Sequence, residues 1–338
     1  PGKPYPYDSE EVTFRNERAN VTLSGTLTLP AKEGSYPAVV LITGSGPQNR
    51  DEEVAGHKPF LIIADYLTKH GIAVLRYDDR GFGQSTGDFK SATSLDFSTD
   101  VESAVAYLKT RKEIIGDKIG LVGHSEGGTI APMVAARLQE IAFVVLLAGP
   151  GIQTDTLMLR QQELIARSLG IAENEIQKAK RINGRIYAMI SASEDLKTLK
   201  GDLTDYIQEK SDSIMIITPK GMTREQVISA QINEYSSPWW SFMMKHNPAA
   251  TLEKVTCPVL ALNGARDLQV TPKENLAAIG KALKKAGNER VTLKELPKLN
   301  HFFQECKTGS PKEYAIIEQT ISPTALKEIK DWIVQQVN

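Results

Sequence analysis

Cysteine is scarce in this sequence, which has only two, Cys257 and Cys306, among 338 residues. Two cysteines form neither the clusters that bind metals nor the disulfide framework that holds a small secreted domain together. We expect two free thiols, although one disulfide would form if the fold brought the two side chains together. Stability must therefore come from a hydrophobic core, and a chain of this length can bury a large core and carry a second subdomain.

An excess of charge and a long apolar run are also missing. The formal net charge is -1, with 24% charged and 41% hydrophobic residues. This balance offers no electrostatic attraction for a nucleic acid or an anionic membrane surface. The longest apolar runs, such as 37–42 and 143–148, are far too short to span a bilayer. We therefore expect neither a nucleic-acid-binding protein nor an integral membrane protein.

The chain begins at Pro1 rather than with methionine, and its first six residues are rich in proline. Removal of a leader peptide explains the missing methionine and favours export to the periplasm. Trimming of the chain for expression explains the same features, so a cytoplasmic location stays open.

The most informative motif is Gly123-His124-Ser125-Glu126-Gly127, which follows the apolar stretch 119–122 and precedes the helical stretch 129–138. A serine on a sharp strand-to-helix turn needs small residues two positions before and after it, because side chains there would collide across the turn. The helix that starts at the turn points its amide groups and dipole toward an oxyanion. We interpret the motif as a nucleophile elbow with Ser125 as the nucleophile. A glycine-rich turn with a bystander serine is the alternative.

Hydrophobic periodicity predicts an α/β fold. Residues 10–29 alternate apolar and polar side chains, which is typical of a β-hairpin that turns at 16–20. Apolar runs typical of buried strands then alternate with helical patterns, and this alternation implies a mostly parallel sheet. The predicted strands after the hairpin are 38–43, 72–77, 119–123, 142–148, 258–263 and 291–296, and the predicted helices are 58–70, 96–110, 129–138, 273–286 and 324–337.

A helical segment interrupts this alternation. Residues 152–256 carry no buried-strand pattern but several amphipathic stretches, at 154–169, 173–191 and 224–235. We predict a core domain formed by residues 1–151 and 257–338, and a helical insertion at 152–256 that packs as a cap over the C-terminal edge of the sheet.

Two residues near the ends of late strands complete a candidate catalytic triad. Asp267 follows the strand 258–263, and His301 follows the strand 291–296. In sheets of this kind the nucleophile, acid and base come in that order along the chain. His301 would take the proton of Ser125 as general base, and Asp267 would orient its ring. A different acid stays an alternative to Asp267.

The loop after the strand 38–43 reads Gly44-Ser45-Gly46-Pro47-Gln48. An oxyanion hole takes one N–H from the residue after the nucleophile, here Glu126, and one from this loop. Two glycines allow the backbone to approach a substrate closely, so we choose the Ser45 N–H, with Gly46 as the alternative. A simple tight turn is the other interpretation of the loop.

Together these motifs resemble bacterial esterases of the serine-aminopeptidase-like group in the α/β-hydrolase superfamily. The resemblance implies an eight-stranded, mostly parallel sheet, a helical cap after the sixth strand, and hydrolysis of short-chain acyl esters without a cofactor or metal. It also implies Ser125, Asp267 and His301 as the triad. One departure is Thr43-Gly44, where many relatives have His-Gly. The segments that carry the resemblance are 44–52, 56–59, 76–85, 123–128, 263–267 and His301.

The predicted cap contains a cluster of large apolar side chains, Trp239, Trp240, Phe242 and Met243. Such side chains form the apolar surface of an acyl-binding pocket, or they pack inside the protein. We expect one or two of them to contact substrate.

These features favour a carboxylesterase that acts on a small-molecule ester. An aminopeptidase or dipeptidase and a thioesterase or acyltransferase would use the same residues, with Glu126, Asp155 or acids of the cap available to bind a substrate amine. A hydrolase-fold protein that binds a ligand without catalysis is the non-enzymatic alternative. The oligomeric state is left open.

Overall fold

A central sheet of eight strands is present in the computed structural model, which describes residues 1–211, 218 and 221–338. The order across the sheet is β1-β2-β4-β3-β5-β6-β7-β8. The strands are Asp8–Asn16 (β1), Val21–Leu29 (β2), Tyr36–Ile42 (β3), Ala73–Tyr77 (β4), Ile114–His124 (β5), Val144–Leu147 (β6), Val259–Gly264 (β7) and Val291–Leu296 (β8).

The sheet is parallel from β4 onward, as predicted. β1 and β2 form the expected antiparallel hairpin, and β2 pairs antiparallel with β4. The pairs β3–β4, β3–β5, β5–β6, β6–β7 and β7–β8 are all parallel. Every residue of β4, β6 and β7 is buried, because helices cover both faces of a parallel sheet. The α/β fold predicted from the periodicity is therefore confirmed.

Eleven α-helices connect or follow the strands within the described ranges. Several of them begin with proline at the first turn, where the missing N–H would have no partner in the helix. The helices are Pro59–Lys69 (α1), Ser94–Lys109 (α2), Gly127–Ala135 (α3), Thr154–Ser168 (α4), Glu173–Ala192 (α5), Leu196–Glu209 (α6), Arg224–Tyr235 (α7), Pro238–Lys245 (α8), Pro248–Leu252 (α9), Pro272–Lys285 (α10) and Pro323–Val337 (α11).

The chain divides into a sheet unit and a helical unit. The sheet unit comprises 1–89, 94–152 and 248–338, and the helical unit comprises 90–93 and 153–247. The helical unit has its own core, in which α5 and α6 contribute apolar side chains four residues apart. These include Ile182, Ile186, Ile190, Leu199, Leu203 and Ile207. That the helical unit acts as a cap stays a prediction, and 212–217 and 219–220 of the predicted insertion lie outside the described residues.

The end of the insertion differs from the expected position. We predicted residue 256, but α9, Pro248–Leu252, belongs to the sheet unit. Leu252 and Val255 are buried in the same apolar cluster as the strand residue Val259. The amphipathic pattern before β7 therefore belongs to a helix of the sheet unit, which periodicity alone does not distinguish from one of the insertion.

The state of the two cysteines and the apolar character of the helices can be compared with the sequence-based expectations. Neither cysteine is in a disulfide: Cys257 is half-buried and Cys306 is buried, and both are free thiols. In the ranges 1–211 and 221–338, every helix is too short or too polar to cross a membrane.

Substitution of Gly123, near the end of β5, tests the close packing of this strand against α3. A Cβ at Gly123 would overlap the Gly127 carbonyl, whereas a Cβ at Gly116, on the same strand, would meet no atom within 4 Å. We expect Gly123→Ala to lower the free energy of unfolding by about 3 kcal/mol, because backbone atoms cannot move aside. Urea unfolding measures this change. Gly116→Ala is the matched control, expected within about 0.5 kcal/mol of wild type. Equal stability of the two variants would contradict this packing.

Candidate active site

Ser125 lies on a strained turn between β5 and α3. Its φ is 51°, in the left-handed region that residues other than glycine seldom adopt. The turn is held by hydrogen bonds from the Ser125 amide to the Leu147 carbonyl (2.9 Å) and from the Gly128 amide to the Ser125 carbonyl (2.8 Å). A Cβ at Gly127 would overlap the Ile42 carbonyl. Ser125 is half-exposed between buried neighbours, the arrangement that a nucleophile elbow requires.

Asp267 and His301 are brought into direct contact. Asp267 follows β7, His301 follows β8, and the Asp267 Oδ2 lies 2.8 Å from the His301 Nδ1. Asp267 Oδ1 accepts hydrogen bonds from the backbone amides of Gln269 (2.8 Å) and Val270 (2.9 Å). Both members of the pair are 2% exposed. The carboxylate is thus fixed by backbone donors and is aimed at one nitrogen of the imidazole.

The loop that carries His301 is stiffened by a buried amide side chain. Asn300 Oδ1 accepts hydrogen bonds from the backbone amides of Phe302 and Gln304, each 3.0 Å long. A Cβ at Gly264 would overlap the carbonyls of Leu299 and Asn300, so the end of β7 passes close to this loop. Close approach of the two backbones keeps the Asp267 and His301 loops together.

His124 links the elbow to the His301 loop. Its Nε2 lies 3.0 Å from the His301 carbonyl oxygen, and the centroids of the two rings are 4.8 Å apart. Because His124 immediately precedes Ser125, the elbow and the Asp267–His301 pair lie at the same edge of the sheet. The structure thus brings the three predicted triad residues to one region of the sheet unit.

The predicted oxyanion loop lies against the elbow, but its first amide is already in use. The Gly44 N–H donates to the Glu52 Oε1 (2.7 Å), and a Cβ at Gly44 would lie 3.3 Å from the Ser125 Cβ. Ser45 is exposed, and Gly46 has a φ of 88°. The predicted donors to an oxyanion hole are therefore the next N–H groups along the loop, those of Ser45 and Gly46, and this role stays a prediction.

Three carboxyl groups, those of Glu52, Asp79 and Glu126, lie near this loop. The Thr43 hydroxyl (2.8 Å) and the Gln48 amide (2.8 Å) donate to Asp79, and the Ser94 hydroxyl donates to Glu126 (2.6 Å). Loss of hydration raises the pKa of Asp79 well above its usual value, and repulsion from Glu126 and Glu52 adds to the effect, which the two hydrogen bonds only partly oppose. Asp79 therefore takes up a proton more readily than a free aspartate does.

Ion pairs fix the loops after β3 and β4. The Arg50 guanidinium holds Asp78 through its Nε (3.1 Å) and Nη2 (2.9 Å), and the Arg80 guanidinium holds Asp100 in the same two-pronged way at 2.7 and 2.8 Å. Asp78, Arg80 and Asp100 are buried. Such planar pairs set the loop geometry more firmly than a single surface contact does.

The large apolar side chains of α8 are mostly engaged within the helical unit. Trp240 is 5% exposed and stacks on Tyr187, with ring centroids 5.6 Å apart. Met243 is buried as well, whereas Trp239 and Phe242 are half-buried. A role for these four residues in substrate binding stays a prediction, and the packing of Trp240 makes Trp239 and Phe242 the better candidates.

Sequence reasoning gave no role to Glu52 or to the side chain of His124. The Glu52 Oε1 lies 2.9 Å from the His124 Nδ1, although the two residues are 72 positions apart in the chain. No local pattern connects such a pair. The available signal was a histidine at the buried end of a strand, since a buried imidazole needs a hydrogen-bond partner for each nitrogen.

A comparison with protein families agrees with the geometry. A profile described as serine aminopeptidase, S33, matches residues 58–305. Esterase EstD of Thermotoga maritima is 27% identical over 333 residues, which cover 98% of this chain and 69% of the esterase. Acyl-coenzyme A thioesterase 1 of Homo sapiens is 28% identical over 159 residues, which cover 46% of this chain and 34% of the thioesterase.

Solved structures share the fold. The α/β hydrolase GrgF from Penicillium superposes with a TM-score of 0.60 at 15% identity, over 97% of this chain and 99% of GrgF. Esterase Pf2001 of Pyrococcus furiosus superposes with a TM-score of 0.57 at 16% identity, over 100% of this chain and 96% of the esterase. Because the family profile spans well over half of the sequence, the chain belongs to the serine aminopeptidase S33 family, and it is an esterase-like enzyme with the α/β-hydrolase fold.

Proposed function

We propose that the protein is a serine carboxylesterase that cleaves short-chain acyl esters through an acyl-enzyme intermediate. The observation that carries the proposal is the buried 2.8 Å hydrogen bond between Asp267 and His301 at the edge of the sheet where Ser125 occupies a nucleophile elbow. A serine hydroxyl is a weak nucleophile unless an adjacent base removes its proton. A carboxylate-oriented imidazole is such a base.

Acylation begins when Ser125 attacks the ester carbonyl. The His301 Nδ1 is engaged with Asp267, so Nε2 takes the hydroxyl proton as the new C–O bond forms. Negative charge moves to the carbonyl oxygen, where the N–H groups of Glu126 and of Ser45 or Gly46 stabilise it. His301 then returns the proton to the leaving alcohol, and the C–O bond to that alcohol breaks.

Deacylation repeats these steps with water in place of the serine. His301 takes a proton from the water molecule, and the hydroxide attacks the acyl-serine carbonyl. The oxyanion is stabilised by the same amides, and Ser125 leaves with the proton from His301. The acid is released, and no redox change occurs in either half of the reaction.

We favour an ester over a peptide with a free amino group as the substrate. A peptidase of that kind needs an exposed acid that binds the substrate amine. Glu126, one of the acids considered for this role, is 5% exposed and accepts a hydrogen bond from Ser94. EstD, which aligns with 98% of this chain, is itself named an esterase. Thioester hydrolysis is the second candidate, since the named thioesterases align with just under half of the chain.

Removal of the nucleophile tests the mechanism. We expect Ser125→Ala to lower kcat for p-nitrophenyl ester hydrolysis by about 10⁴-fold or more, because no other group can form the acyl-enzyme. A fluorophosphonate probe should label wild type at Ser125 and leave the variant unlabelled. Circular dichroism and thermal unfolding control for the fold. Turnover near that of wild type in a folded Ser125→Ala protein would sink the mechanism.

The oxyanion amide can be tested with two variants at one position. Ser45→Ala keeps the backbone N–H, and we expect kcat within about threefold of wild type. Ser45→Pro removes the N–H, and we expect kcat to fall by about 10²-fold with KM little changed, since the amide acts on the developing charge. If Ser45→Pro folds and keeps full activity, Ser45 is not the donor and Gly46 takes its place.

A substrate panel tests the leaving group and the acyl length. We expect p-nitrophenyl esters of short acids to be hydrolysed faster than long-chain esters, and faster than the matching aminoacyl p-nitroanilides and acyl thioesters. Initial rates with wild type and Ser125→Ala give the comparison. Anilide turnover above ester turnover would identify a peptidase instead, and a preference for thioesters would identify a thioesterase.

A further inference from the structure

We propose that Glu52 and His124 form a buried carboxylate–imidazolium pair that positions the oxyanion loop and the His301 loop on either side of Ser125. The inference rests on the proposed function, because it assigns a positioning role at that same site. Neither residue is proposed to touch substrate. The pair acts through the backbone atoms that it holds.

The pair joins three separate segments through short hydrogen bonds. The Glu52 Oε1 accepts from the Gly44 amide (2.7 Å) and lies 2.9 Å from the His124 Nδ1. On the other side of the ring, the His124 Nε2 lies 3.0 Å from the His301 carbonyl oxygen. One continuous chain of bonds therefore runs from the oxyanion loop, through the residue before the nucleophile, to the residue proposed as general base.

The partners of the ring determine its protonation. A carboxylate and a peptide carbonyl only accept hydrogen bonds, so each needs a donor. A neutral imidazole has one N–H and satisfies one of them, whereas the imidazolium has two and satisfies both. The Glu52 oxygen that faces the ring already accepts the Gly44 N–H, which favours the ionised carboxylate. The bonding pattern therefore calls for a His124 cation beside a Glu52 anion.

Electrostatics agrees with this assignment. Glu52 is 2% and His124 4% exposed. Burial opposes protonation of the ring, but attraction to Glu52, the hydrogen bonds to Glu52 and His301, and the more distant Asp267 carboxylate together raise the pKa of His124 above its usual value. The charged and titratable groups that face the ring are thus Glu52, Asp267 and the His301 imidazole.

The surroundings keep the pair buried and in place. Glu52 has a φ of 51°, so its backbone is held in a conformation that is unfavourable for glutamate. The neighbouring residues anchor this segment, since Arg50 pairs with Asp78 and Asp51 pairs with Arg76. A small apolar cavity borders both charged groups, and its other lining residues include Phe60, Ile63, Leu147, Phe303 and Ile321. Hydrogen bonds between charges gain strength in such surroundings.

A positioning role predicts an effect on the reaction rate rather than on substrate binding. With glutamine at position 52, the ring would be neutral and would have one N–H. If that N–H stays on residue 52, the His301 carbonyl loses its donor; if it stays on the His301 carbonyl, the glutamine NH2 must turn toward the ring and the Gly44 N–H loses its acceptor. The His301 loop or the oxyanion loop would then shift relative to Ser125. Small displacements of catalytic groups lower kcat strongly, whereas KM depends mainly on contacts with the rest of the substrate.

The first test is Glu52→Gln, which keeps the size and the acceptor for the Gly44 amide but removes the charge. We expect kcat for ester hydrolysis to fall by about 10- to 100-fold, with KM within about threefold of wild type. Glu53→Gln is the matched control, because Glu53 is the next residue and its carboxylate forms an ion pair with Lys58 at the surface. Glu53→Gln should keep the wild-type kcat.

The second test reads the protonation of His124 directly. Ring ¹⁵N NMR, assigned through the backbone, should show both nitrogens of His124 protonated at pH 7 in wild type and in Ser125→Ala, but a neutral ring in Glu52→Gln. Because the folded pKa is raised, the stability that the ion pair contributes is fully present below about pH 6.5, the pKa of a free imidazole, and is lost as the pH rises through the folded pKa of His124. His57 serves as the internal comparison, since its ring nitrogens lie 3.0 Å from the Thr320 hydroxyl and 3.0 Å from the Tyr314 carbonyl oxygen.

The outcomes separate this inference from the proposed function. A folded Glu52→Gln protein with the wild-type kcat, or a neutral His124 in wild type at pH 7, overturns the pair. The wild-type NMR result decides the matter even if Glu52→Gln does not fold. Absence of ester turnover and of fluorophosphonate labelling in wild type overturns the proposed function instead, while the protonation of His124 is still measured in the same protein.

Discussion

The turn between β5 and α3 has no room for side chains on either side of Ser125, and the rest of the site depends on this steric constraint. Three glycines let the backbone pass close to other backbone at this turn. Gly123 lies against the start of α3, Gly127 against the end of β3, and Gly128 against Gly149. Only with the strand and helix this close can Ser125 hold its left-handed backbone and stand out of the sheet. The loops after β3, β6, β7 and β8 then meet at the elbow because parallel strands end at one edge.

Strained backbone is concentrated in this region. Of the non-glycine residues with positive φ, Ser125 is the elbow, Glu52 follows β3, Ala148 follows β6, and Lys298 and Phe303 flank His301. Such conformations are unfavourable and persist only where the surroundings hold them. Here the surroundings include paired charges and hydrogen bonds to the backbone, such as Arg50 with Asp78 and the Asn300 side-chain oxygen with the following amides.

Two kinds of feature were predictable from the sequence: helices and strands whose apolar residues recur with a regular period, and candidate site residues that lie directly after strands. The mostly parallel sheet, the strand-to-helix turn at Ser125 and the meeting of Asp267 with His301 came from these rules, because the rules are local or topological. α6 and α8 were missed, although Asp195 and Ser237 cap their first turns in the usual way. α8 has only 8 residues, and its aromatic side chains drew attention to chemistry instead. α6 has 14 residues with apolar side chains four positions apart, so it carries the helical pattern and was overlooked.

Glu52 and His124 could not be predicted by any rule of spacing, and the reason is physical. Their contact depends on the register of β3 against β5 and on a loop that turns back over the end of both strands. Local patterns specify which residues are buried but not which buried polar groups meet. A polar residue at the buried end of a strand is still informative, because each of its donors and acceptors needs a hydrogen-bond partner. That partner comes from another segment that ends at the same edge of the sheet. For His124 that requirement leads from the elbow to the proposed oxyanion loop on one side and to His301, the proposed base, on the other.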